Sequence, residues 1–109
     1  MYQPSRLVSS FNIAGFQYHD GATVFPDLKV GTPVGLVPEP DNPHDPSAMA
    51  LYYGDVHLGY VPRKENELFS LLAFYGHAGI FECRILKADP AADPWDQVMV
   101  GIYVVDARG

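Results

Sequence analysis

Four prolines fall within nine positions, Pro38, Pro40, Pro43 and Pro46, and this cluster constrains the fold more than any other feature of the chain. Each ring holds its own φ at about −65° and removes one N–H donor. It also biases the preceding residue toward extended backbone. The stretch from Pro38 to Ala48 (PEPDNPHDPSA) is therefore excluded from a helix, and it lacks the donors of a central strand. Nor is it floppy, because a restricted backbone loses less entropy on ordering. Apolar runs flank it, Val34 to Val37 before and Ala48 to Tyr53 after. The segment reads as a stiff polar connection between two strands. Two roles remain open for it: a structured turn and nothing more, or a rigid loop that presents binding residues from a sheet.

The rest of the chain supplies short strands around that loop. At 109 residues, with 48% apolar and 18% charged residues, it has the size and composition of one globular domain, residues 1–109. Leu7 to Phe16 reads as a first strand, with Leu7, Phe11 and Ile13 on one parity and Gly15 marking a bulge or a close backbone approach. Gln17 to Gly21 is a cluster of aromatic and polar residues. Ala22 to Lys29 has no clean period and reads as an irregular connection anchored by Phe25 and Leu28. Beyond a turn at Val30–Pro33, strands are expected at Pro33–Glu39, Ala48–Tyr53 and Val56–Val61, the last two joined at Gly54-Asp55.

Pro62 suits the first position of a helix. From there Leu68, Leu71, Leu72 and Tyr75 recur at helical spacing and are expected to face the core. Arg63, Lys64, Glu65 and Glu67 would lie outside, and Gly76 would cap the end. A fifth strand at Gly79–Leu86, a polar loop at Asp89–Asp96 and a final strand at Gln97–Val105 complete the chain. The expected fold is mainly β with one or two helices: a small, partly open, six-stranded β-barrel of the OB-like or SH3-like kind.

Charge narrows the function. The net charge is −6, and the seven cations are Arg6, Lys29, Arg63, Lys64, Arg84, Lys87 and Arg108. A long basic groove for duplex DNA is excluded, so any nucleic-acid contact must be local. Cys83 is the single cysteine, which leaves no disulfide framework and no cysteine-based zinc site. No stretch reaches the roughly 18 apolar residues of a membrane span. The segment Met1–Arg6 lacks the apolar core of a signal peptide, so a soluble, cytoplasmic protein is expected.

Chemistry-bearing patterns are few. His19, His44, His57 and His77 show no ligand spacing, so no metal is expected. Glycine-rich phosphate loops are absent, and no cofactor is expected. His44-Asp45 with Ser47 nearby raises a hydrolase, but nothing in the spacing specifies a nucleophile with an orienting partner, so an enzyme is not expected. What remains is a binding set: Tyr18 and His19 after the first strand, His44 and Asp45 in the stiff loop, and Tyr60, Arg63 and Lys64 where the fourth strand meets the helix. Aromatic rings beside a cationic helix start suit the end of a single-stranded nucleic acid.

Three segments together resemble the HIRAN domain family: Ala14–Gly21 (AGFQYHDG), Glu39–Ala48 (EPDNPHDPSA) and Leu58–Asn66 (LGYVPRKEN). The resemblance is strongest over residues 8–86, and the middle motif is the specific one. It implies an OB-like barrel with an added helix. It also implies a module that, in fork-remodelling relatives, binds single-stranded DNA by a free 3′-hydroxyl end. By this resemblance Asp45 accepts a hydrogen bond from the terminal hydroxyl and Tyr18 packs on the last nucleotide. His44 stands where those relatives have a tyrosine, and Arg63 falls near a lysine that contacts the backbone. Gln17 replaces an arginine and flanks the set. The family's setting implies a role in DNA repair or fork processing, with a helicase or nuclease as protein partner. A protein-interaction adaptor that keeps the fold without DNA affinity is the alternative.

Overall fold

The computed structural model describes residues 5–106; Met1 to Pro4, where the absence of a signal sequence is read, lie outside them. Strands β1 (Ser5–Asn12), β2 (Pro33–Pro38), β3 (Met49–Tyr53), β4 (Val56–Tyr60), β5 (Phe81–Ala88) and β6 (Val98–Val105) form one antiparallel sheet in the order β1-β6-β5-β2-β3-β4. Helix α1 spans Arg63–Phe74. The sheet curls until its two ends meet at one point, an isolated bridge between Ala14 and Tyr60. There Ala14 N–H donates to the Tyr60 carbonyl and Tyr60 N–H to the Ala14 carbonyl, both at 2.9 Å. The result is the expected mainly-β, OB-like, partly open barrel of six strands.

Gly59 makes that meeting sterically feasible. Its φ of +148° lies where side chains are strained, and a Cβ on it would stand 2.5 Å from the Ala14 carbonyl oxygen. The core lies inside the curl. Ile13, Met49, Leu51, Leu58, Ile85, Val100 and Ile102 are all at most 2% exposed, and each such side chain contributes about 1.5–3 kcal/mol by leaving water.

Strand positions follow the sequence pattern, with three departures. The first strand is Ser5–Asn12 rather than Leu7–Phe16, because the chain leaves the sheet at Ile13 and turns at Gly15, φ +72°. Within it the register slips between Leu7 and Ser9, so the extra Val8 puts Leu7 and Phe11 on opposite faces. Phe11 is buried, whereas Leu7 is 47% exposed and packs over Gly101 on the outside. Second, the connection expected to be irregular at Ala22–Lys29 is largely a 3-10 helix, Asp20–Asp27, which tolerates Pro26 near its end. Leu28 is buried and Phe25 meets Phe16 edge-on at 6.0 Å, as the anchoring role requires.

Third, α1 is turned half a revolution from expectation. Leu68, Leu71 and Tyr75 are exposed, and the buried residues are Asn66, Phe69 and Ser70, with Ala73 packed beside them. These four also recur at helical spacing, so the helix has two candidate faces. Packing chooses between them: Phe69 meets Phe81 edge-on at 5.1 Å, and Asn66 reaches the proline-rich loop. The C-terminus ends as expected. Gly76 at φ +92° follows the last turn, with His77 N–H bonded to the Leu72 carbonyl at 2.8 Å and Gly76 N–H to Ala73 at 3.1 Å.

Candidate functional site

The proline-rich loop is held rigid by its own side chains. Asn42 Oδ1 accepts the N–H of His44 (2.9 Å) and of Asp45 (3.2 Å), and its Nδ2 donates to Glu39 Oε1 at 3.0 Å. Asp45 Oδ1 then accepts the Ser47 N–H at 2.9 Å. Successive Asx turns of this kind satisfy backbone donors that proline-interrupted pairing leaves free. Three side-chain bonds tie the loop to its surroundings: Tyr60 Oη donates to Glu39 Oε1 at 2.9 Å, Asn66 Nδ2 donates to Asp45 Oδ2 at 2.9 Å, and Arg63 Nη2 donates to the His44 carbonyl.

These ties shape a cleft of about 340 Å³ among three segments. Tyr18 and His19 follow the turn at Gly15, Asn42, His44 and Asp45 come from the loop, and Tyr60, Arg63 and Asn66 come from the end of β4 and the start of α1. The barrel closure does the assembling, since the Ala14–Tyr60 bridge brings the first of these segments against the last. Six residues singled out in the sequence thus meet: Tyr18, His19, His44, Asp45, Tyr60 and Arg63. The cleft is not lined by Lys64, which borders a groove on the far side of α1 with Val8 and Leu68, nor by the exposed Gln17. Sequence reading passed over Asn66, which is 3% exposed; an asparagine in line with Phe69 and Ala73 on one helix face was the available signal.

The wall beside His19 is a stack of rings. His19 and His57 lie 4.1 Å apart between centroids, His57 stacks on Tyr52 at 4.9 Å, and Tyr60 meets both imidazoles edge-on at 5.7 and 5.0 Å. His57 Nε2 sits 3.0 Å from the Gly59 carbonyl, which can only accept, so that nitrogen carries the proton. Burial and the adjacent His57 hold His19 below the ordinary histidine value, against a smaller upward pull from Asp20 and Glu39. Tyr60 is raised by burial and by its bond to the Glu39 carboxylate. Tyr18 is 79% exposed, a free ring at the mouth.

Charge in the cleft is sparse and opposed. The bond from Asn66 and the Ser47 N–H, with help from Arg63, hold Asp45 below the usual carboxylate range. Arg63 Nη2 donates to the His44 carbonyl at 2.8 Å and its Nε stands 3.8 Å from Asp45 Oδ2, yet its side chain is 73% exposed and keeps donors for a ligand. The first N–H groups of α1 open beside it. Such a site can accept a hydrogen bond from a neutral hydroxyl, bind a single phosphate at its cationic edge, and stack a base. The Asp45 carboxylate bonds to Asn66 and the loop rather than to the His44 ring, so the two do not form an acid–base pair. Among the described residues no three His, Cys, Asp or Glu side chains cluster to hold a metal ion.

The family model described as the HIRAN domain matches residues 7–105. A crystal structure of a protein from Lactobacillus plantarum superposes with a TM-score of 0.74 at 20% identity, covering 94% of this chain and 96% of that one. The HIRAN domain of human HLTF superposes with a TM-score of 0.61 at 13% identity, covering 94% and 82%. At these identities the two structures speak for the fold. No curated protein sequence matches.

Proposed function

The chain belongs to the HIRAN domain family, and from that premise we propose that it binds the free 3′-hydroxyl end of single-stranded DNA in the cleft, as a non-catalytic module serving repair or fork processing. One observation carries the reading. Asp45 is held ionised in the cleft wall, with Arg63 beside it and the exposed ring of Tyr18 lining the same cleft. A terminal hydroxyl donates to that carboxylate, whereas a 3′-phosphate or a continuing strand brings an anion against it. End selectivity then comes from repulsion as well as attraction. Tyr18 and His44 supply faces for the last bases, and Arg63 with the start of α1 takes a backbone phosphate. A helicase or nuclease would supply the chemistry that this module lacks.

The test is fluorescence anisotropy with one short oligodeoxythymidine ending in either 3′-hydroxyl or 3′-phosphate. The hydroxyl form binds more tightly. Asp45→Asn narrows the difference chiefly by improving the phosphate form, because it removes the repelling charge and keeps the side chain's shape. Equal binding of both ends, unchanged in Asp45→Asn, removes end recognition. No binding of either at low salt leaves the adaptor role, which the net charge of −6 favours.

A further inference from the structure

The outward face of α1 carries an apolar seam that the fold leaves uncovered. Lys64, Leu68, Leu71 and Tyr75 follow one another at spacings of four, three and four, the pattern by which one helix packs along another. Leu68, Leu71 and Tyr75 are 58%, 53% and 68% exposed, and Phe74 beside them is 58% exposed. Together they present on the order of 500 Å² of apolar side chain, a size at which patches mark interaction sites. Leu71 stands as a ridge between two grooves. One, of about 330 Å³, is bordered by Pro38, Pro46 and Phe74; the other, of about 490 Å³, by Val8, Lys64 and Leu68.

We propose that this face docks a second copy of the same chain, with the two α1 helices antiparallel about a two-fold axis near Leu71. Three features select that occupant. A ridge flanked by grooves is complementary to itself when the second helix supplies the same ridge. Residues equally far from Leu71 then oppose each other, so Leu68 meets the second copy's Phe74. Charge also fits. Lys64 sits in the first turn, where the helix dipole disfavours a cation, and the ion pairs among the described residues are Arg63–Asp45 and Arg84–Glu82. The last turn of α1 has no basic residue. Antiparallel docking carries each Lys64 to the other helix's carbonyl end, whereas parallel docking sets lysine against lysine. Finally, with on the order of 500 Å² exposed on each copy, a pair can bury on the order of 1,000 Å², the size that marks the lower bound of a specific interface.

Dimerisation is measured without DNA, so it stands or falls apart from the function proposed above. Pro46 and Ser47 border the groove while His44 and Asp45 border the cleft, so a dimer carries two clefts next to one shared interface. Sedimentation equilibrium of the whole chain from micromolar to millimolar concentration gives a monomer–dimer equilibrium. Leu71→Glu weakens it by about tenfold or more with an unchanged circular dichroism spectrum, because the residue is exposed in the monomer. A short bismaleimide links Leu71→Cys into dimers and leaves Asp55→Cys monomeric; the buried Cys83, its thiol pushed up to about 12, does not react. A monomer at every concentration, a dimer indifferent to Leu71→Glu, or equal linking of the two cysteine variants overturns the proposal.

Discussion

Asn66 donates from Nδ2 to Asp45 Oδ2 at 2.9 Å, joining the buried face of α1 to the proline-rich loop across 21 residues of sequence. With the Ser47 N–H on the other oxygen, this bond orients the carboxylate in the cleft wall, and it is the leading cause of its lowered pKa. It also explains why α1 buries a polar residue at a position where leucine would pack more simply. A buried amide is tolerated when it is bonded, and here its partner is charged.

Removing that donor should therefore cost stability and shift a titration. Asn66→Ala is expected to lower unfolding free energy by about 1.5–3 kcal/mol in urea, the range for losing a hydrogen bond to a charged group. Its Asp45 carboxyl resonance should titrate at higher pH than in the parent. The sign follows from linkage. Because the folded pKa of Asp45 lies below its ordinary 3.8, its stabilisation is present above that value and is lost as pH falls through the folded pKa. Asn66→Ala should accordingly lose less stability on acidification. An unmoved resonance would show that the bond does not set the pKa.

His19 predicts a dependence of the same sign in a higher pH window. Its folded pKa lies below 6.5, so the folded protein prefers the neutral ring. The contribution is full above pH 6.5 and declines as pH drops from there toward the folded pKa, because the unfolded chain takes up the proton first. Denaturant midpoints measured across that window should fall with acidification, and His19→Gln should flatten the fall. An equal slope in parent and variant would assign the effect elsewhere.

The barrel closure can be tested at one glycine against another. Gly59→Ala meets both a positive φ and a Cβ only 2.5 Å from the Ala14 carbonyl, whereas Gly31→Ala meets a positive φ with nothing within 4 Å. Backbone strain alone costs about 1–3 kcal/mol, so Gly31→Ala should lower the melting temperature modestly. Gly59→Ala should lower it further and should move the His19 and Tyr60 ring resonances toward solvent-like positions. Equal losses would mean that the Ala14–Tyr60 bridge is not what holds the cleft together.

Tyr18 separates binding from folding. It is 79% exposed, so Tyr18→Ala should leave stability within about 0.5 kcal/mol. Binding of an oligodeoxythymidine should weaken by about 1–3 kcal/mol, the range for one base stacked on a ring. The salt dependence of binding should be shallow in parent and variant alike, because among the described residues Arg63 is the one lysine or arginine side chain that lines the cleft. A steep slope would point to a basic surface elsewhere.

Much of this was legible from residue order. Proline spacing marked the rigid loop, alternation marked most of the strands, and Gly76 marked the end of α1. Tyr18, His19, His44, Asp45, Tyr60 and Arg63 were identified as a set, and they line one cleft. Asn66 was not singled out, because its importance lies in a partner that is remote in sequence. Lys64 was included because it adjoins Arg63, yet one residue along a helix is about 100° around it, and that step sends it to the far side.

Residue order alone located most of the strands, the turns between them and α1, because proline restriction, glycine permissiveness and side-chain period act over a few neighbouring residues. Which way α1 faces was settled by packing. Two stripes at helical spacing compete on that helix, and the more apolar one, with Leu68 and Leu71, lies outward. Burial depends on what stands opposite. Phe81 and the Asp45 carboxylate fit Phe69 and Asn66, and no local pattern could carry that information. The proline-rich loop was stiff from its composition alone; the closure of the barrel and the bonds from Arg63 and Asn66 of α1 made it a wall of the cleft.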